Sequence, residues 1–125
     1  LKFCLQKFSS LNEIIIPSSV NSIDEWSFAG CKSFLHITIP SSIKTAGNNV
    51  FLDCKSLSQV KFENPSSIES ISGNFFSGCT ALMQITIPSS VASIGDYAFK
   101  DCLTLEQVTI PSKVSIGNFV FPKKN

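Results

Sequence analysis

The chain has 125 residues, 43% of them hydrophobic, and carries ten basic and nine acidic side chains for a formal net charge of +1 at pH 7. That size fits one domain with enough apolar side chains to fill a core. All ten basic residues are lysine, so the arginine-led bidentate contacts of a dedicated nucleic-acid surface are missing, and no stretch nears the ~18 apolar residues that a membrane-spanning helix needs.

The elements recur. Cys31, Cys54, Cys79 and Cys102 follow one another at 23, 25 and 23 residues, and Pro17, Pro40, Pro65, Pro88 and Pro111 keep the same step. A fixed period in this range marks a solenoid, in which each coil buries its apolar side only against its neighbours. In chain order the single domain divides into a partial repeat at 1–10, repeats at 11–33, 34–56, 57–81 and 82–104, and a degenerate repeat at 105–125. Leu1 to Phe8 reads as the back half of a damaged preceding coil, which implies a processed chain or a fragment lacking N-terminal coils. The degenerate last copy and its Lys-Lys-Asn tail imply a C-terminal end. No charged-then-apolar leader opens the chain, so a signal peptide is expected to be cleaved or to lie outside it.

Each repeat opens with a leucine or phenylalanine and then alternates apolar, polar, apolar: Ile37-Thr38-Ile39, Ile85-Thr86-Ile87, Val108-Thr109-Ile110. This predicts a short strand with one buried face. Proline then ends the pairing, because it fixes φ and has no N–H. Two serines make the corner, and Val91 and Ile94 of the clearest copy turn inward again. Phe99 and Cys102, three apart, predict a helical or 3-10 turn on the outer side. Stacked coils place like residues over like. The expected core columns are Ile14, Ile37, Val60, Ile85 and Val108; Ile16, Ile39, Phe62, Ile87 and Ile110; and Phe28, Phe51, Phe76, Phe99 and Phe121. Ala46 stands where other coils have isoleucine and should leave its rung underfilled. The longer third coil carries two extra polar residues, Glu63 and Asn64, expected as a bulge at a turn.

The four phased cysteines sit beside phenylalanine and are expected as a ladder of buried thiols; disulfides between in-register rungs rarely meet the required torsion. Cys4 falls out of phase, where a thiol can sit at the surface and link two chains. His36 is the lone histidine, and no C-x-x-C or phosphate-binding glycine loop occurs. The acids read as turn residues. Neither catalysis, nor a cofactor, nor a metal is expected.

Residues 87 to 111, Ile-Pro-Ser-Ser-Val-Ala-Ser-Ile-Gly-Asp-Tyr-Ala-Phe-Lys-Asp-Cys through Val-Thr-Ile-Pro, closely resemble the BspA-like, or Treponema pallidum-type, leucine-rich repeat. The resemblance covers nearly the whole chain. It implies a right-handed α/β-type solenoid of about five coils, with short parallel strands on the concave face and loops or 3-10 turns on the convex face. It also implies a cell-surface or secreted adhesion protein of host-associated microbes.

The outward strand positions are then the candidate protein-binding residues: Glu13, Ile15, His36, Thr38, Gln59, Lys61, Met83, Gln84, Thr86, Glu106, Gln107 and Thr109. Solenoids commonly bind on such a face. The expected partner is a host extracellular-matrix or cell-surface protein, with no nucleic acid and no membrane insertion by this segment. The rival readings are a structural spacer that associates end to end through open strand edges, and an intracellular scaffold, compatible with unpaired cysteines.

Overall fold

The computed structural model describes residues 13–33 and 35–123. The partial repeat at 1–10, Cys4, Leu11 and Phe34 lie outside the described residues, as do the expectations attached to them. Two ladders of short parallel strands run along the solenoid. The first consists of β1 (Glu13–Ile15), β3 (His36–Ile39), β5 (Gln59–Phe62), β7 (Gln84–Thr86) and β9 (Gln107–Thr109). The second consists of β2 (Ser22–Ile23), β4 (Thr45–Ala46), β6 (Ser70–Ile71), β8 (Ser93–Ile94) and β10 (Ser115–Ile116). The second ladder was not foreseen: its strands are two residues long, too short for period-two alternation to show.

Pairing is parallel and in register. Glu13 lies opposite His36, His36 opposite Gln59, and Gln84 opposite Gln107. Branched residues fill the inward positions and polar ones the outward, as a half-buried pleated surface requires. At the corner after each strand, the proline carbonyl accepts the N–H three residues on: Val20 to Pro17, Ile43 to Pro40 and Val91 to Pro88, at 3.0 to 3.1 Å. In the third coil Ser66 Oγ takes over, accepting Ile68 N–H at 3.2 Å. The preceding Asn64–Pro65 peptide is cis.

Both ladders are interrupted at this third coil. β5 pairs back to β3 but not on to β7, and β6 pairs on to β8 but not back to β4. The break in the second ladder has a local cause. Gly47, Gly95 and Gly117 bring each coil against its predecessor so closely that a Cβ would lie 2.9 Å or less from main-chain atoms of that coil. Their N–H groups donate to Ile23, Ile71 and Ile94 carbonyls at 2.7 to 2.9 Å. The third coil has Ser72 there. Its Cβ holds the coils apart, and its Oγ donates to the Ala46 carbonyl at 2.7 Å in place of the main chain.

The convex side corrects the expected α/β class. Among the described residues there is no α-helix and no 3-10 turn. The outer arcs are successive turns, with positive φ at Trp26, Asn49, Asn74, Tyr97 and Phe119 and again at Gly30, Asp53, Gly78 and Asp101. These left-handed residues reverse the chain before a helical turn can propagate. The freed N–H groups donate to the next coil instead: Phe28 to Val50, Phe51 to Phe75, Phe76 to Ala98 and Phe99 to Val120, all at 2.8 to 2.9 Å. The fold is a parallel β-solenoid with turns on its outer wall.

The core forms the expected columns. Phe28, Phe51, Phe76 and Phe99 are buried and stack with ring centroids 5.4 to 5.6 Å apart. Phe121 continues the stack at 5.9 Å but is exposed. Phe75 adds an unforeseen ring, packed edge-on to Phe51 and Phe76 at 5.5 and 4.8 Å. Ala46 is buried yet retains 8% exposure, against 0 to 2% for Ile23, Ile71 and Ile94 in its column.

The cysteine ladder has three free rungs rather than four. Cys54, Cys79 and Cys102 are buried free thiols. Each donates to the carbonyl of a phenylalanine in the preceding coil, at 3.0 to 3.2 Å. Burial pushes Cys54 and Cys102 up to about 12 and Cys79 higher still. Cys31 is buried as expected but disulfide-bonded, with its partner outside the described residues.

Candidate functional site: the concave sheet

Alternation along the first ladder turns every second side chain away from the core. Glu13, His36, Gln59, Gln84 and Gln107 form one exposed column, and Ile15, Thr38, Lys61, Thr86 and Thr109 the next. Met83 and Glu106 precede β7 and β9 and are exposed beside them. They are fixed by the chain itself, since Met83 O accepts the N–H groups of Glu106 at 2.8 Å and Gln107 at 3.3 Å.

These columns floor an open hollow of about 1020 Å³. Ten of the twelve residues singled out in the sequence line it. Glu13 and Ile15 do not: they lie outside it on the first coil, Ile15 being 81% exposed. The hollow straddles the gap between β5 and β7, where pairing is interrupted.

Sequence reasoning missed the walls. Ser58 stands on one side, and Glu63, Asn64 and Pro88 on the other. The signal was present: Glu63 and Asn64 are the two residues that lengthen the third repeat, and an insertion that follows a strand directly must rise at its end. Glu63 is fixed there by two bonds to the preceding coil. Its N–H donates to Ile39 O at 3.0 Å, and its Oε1 accepts the Ser41 N–H at 2.8 Å.

Chemically the floor offers primary amides and hydroxyls, each both donor and acceptor. The charged lining groups are Lys61, Glu63 and Glu106, with His36 at the edge. The free thiols lie in the buried core, fully protonated at neutral pH, and supply no nucleophile here. Among the described residues no group of three or more His, Cys, Asp or Glu side chains could hold a metal ion, and no helix is long and apolar enough to cross a membrane.

Comparison with known proteins places this geometry. Residues 2–125 match the family described as BspA type leucine-rich repeat region, in six copies. No curated protein sequence matches the chain. Among solved structures, a leucine-rich repeat protein from Bacteroides ovatus is 29% identical with a TM-score of 0.64, over 87% of this chain and 36% of that one. A leucine-rich cell surface protein from Faecalibacterium prausnitzii is 22% identical with a TM-score of 0.72, over 81% of this chain and 32% of that one. The pneumococcal vaccine antigen PcpA is 24% identical with a TM-score of 0.73, over 88% and 31%. The chain thus spans about a third of each of these structures, and the likeness to the last two is one of fold.

Proposed function

We propose that this chain, which belongs to the BspA-type leucine-rich repeat family, is a non-catalytic protein-binding module of a surface or secreted protein, and that its ligand lies on the concave sheet. The observation that carries this reading is the hollow itself: ten outward residues from four consecutive coils line one depression. A rigid parallel ladder presents them, so little side-chain and no main-chain ordering opposes binding. The relatives described as a cell surface protein and a vaccine antigen support the surface setting. The partner class is a host extracellular-matrix or cell-surface protein.

The test is direct binding to a panel of purified extracellular-matrix proteins. Gln84→Lys with Gln107→Lys places two cations on the floor without touching the core. At least a tenfold loss of affinity with an unchanged circular-dichroism spectrum supports the concave face, and unchanged affinity rejects it.

One observation favours self-association as a second reading. On the C-terminal side of the last coil, Ile110, Ile116 and Phe121 are 37%, 41% and 43% exposed although they belong to core columns. Sedimentation across a concentration series decides, and a strict monomer rejects that reading.

A further inference from the structure

We propose that the Glu63–Asn64 insertion is the specificity-determining rim of the concave hollow, and that it selects an extended polypeptide segment carrying a basic side chain. This rests on the concave-face reading and adds to it an element and a ligand chemistry.

The insertion is a built feature. A two-residue excess in a solenoid loop is ordinarily free to move. Here it is fastened to the preceding coil at two points, the Glu63 N–H on Ile39 O and the Ser41 N–H on Glu63 Oε1. That second bond fixes the carboxylate in the wall and uses one of its roughly four acceptor sites, leaving the others for a ligand. Asn64 follows in the same wall and adds an amide. In the coil on either side proline follows the strand almost at once, as at Pro40 and Pro88, so only this coil raises acceptor groups at that edge. Without the insertion the ladder would present a shallow, repetitive face.

The floor indicates what lies beside the rim. Gln59, Gln84 and Gln107 match the alternating N–H and C=O of an extended main chain. Phe62 is the only aromatic residue in the lining and is half-buried. The hollow therefore lacks the exposed ring face on which a sugar stacks, while Met83, 54% exposed, gives an adaptable apolar contact. The acids stand on the two walls, Glu63 on one and Glu106 on the other, with Lys61 on the floor strand. A basic side chain at the rim meets a held carboxylate in a charge-assisted bond.

The probe is a phage-displayed library of random linear peptides, selected on the full chain. The leading peptide is synthesised and its affinity measured against wild type, Glu63→Gln, and the Gln84→Lys/Gln107→Lys pair. Glu63→Gln keeps an acceptor for Ser41 and so preserves the wall. We expect selected peptides rich in lysine or arginine, a tenfold or greater loss for Glu63→Gln, and loss of the basic preference when selection is repeated on that variant. Peptides without basic preference, or full affinity in Glu63→Gln while the glutamine pair loses binding, overturn the rim and leave the concave face standing. Full affinity in both variants overturns both readings. Failure to select any peptide overturns the polypeptide occupant.

Discussion

Phe99 shows what a single residue contributes to this core. It stacks between Phe76 and Phe121 and has no exposed surface. A buried phenylalanine removes some 150 Å² from water, roughly 4 kcal/mol before entropy is charged against it. Phe99→Ala should therefore destabilise the chain by about 3–5 kcal/mol, read from the shift of a urea unfolding midpoint. The column was legible because its spacing is strict. The left-handed residues of the outer wall were not. Asn49 and Asn74 tolerate positive φ, but Trp26, Tyr97 and Phe119 in the same column give no turn signal and adopt it only because the coil around them is fixed. Trp26, 54% exposed with φ of 65°, bears the penalty with little visible packing in return. Trp26→Asn should raise stability by about 1 kcal/mol, measured by the same titration, and a loss of stability would show that the indole packs better than its exposure suggests.

Between residue and molecule lie the ladders, and here one side chain decides whether two of them join. The repeat aligns Ser72 with Gly47, Gly95 and Gly117, so the substitution was visible in the sequence. Its effect was not, because only the coil spacing shows that a Cβ has no room there. Ser72→Gly should restore the main-chain bond to Ala46 O and link β4 to β6. The expected readout is slowed hydrogen exchange of the residue-72 amide, to the level of Gly95; an amide that still exchanges freely would place the cause in the Glu63–Asn64 insertion instead. The same reasoning explains how much of the candidate site could be read beforehand. Outward positions follow from alternation, so the floor was legible down to single residues. The walls depend on where an irregular insertion rises, and periodicity carries no information about a departure from itself.

At the scale of the whole solenoid the three free thiols act together. Each is held neutral by burial, with Cys54 and Cys102 raised from 9.0 to about 12 and Cys79 raised further. Below pH 9 both folded and unfolded chains keep these protons, and the stabilisation is fully present. Above it the unfolded chain ionises first, so stability falls as pH rises toward 12, by up to about 1.4 kcal/mol per pH unit for each thiol. A urea midpoint that drops steeply above pH 9 is expected, with a shallower slope in Cys79→Ala; a flat profile would mean the thiols titrate alike in both states. The concave break does not divide the molecule, because the outer wall runs across it unbroken, Asn49, Phe51 and Asp53 donating to Gly73, Phe75 and Ser77 at 2.8 to 3.0 Å.

Every one of those wall bonds points the same way, N–H toward the C-terminal coil and C=O toward the N-terminal one. Their peptide dipoles therefore add along the stacking axis, as they do in a helix, while the strand ladders opposite contribute little. The two ends of the wall are electrically unlike: one presents hydrogen-bond donors and the other acceptors. Whatever stacks on either end must do so head to tail, and two like ends brought face to face would repel.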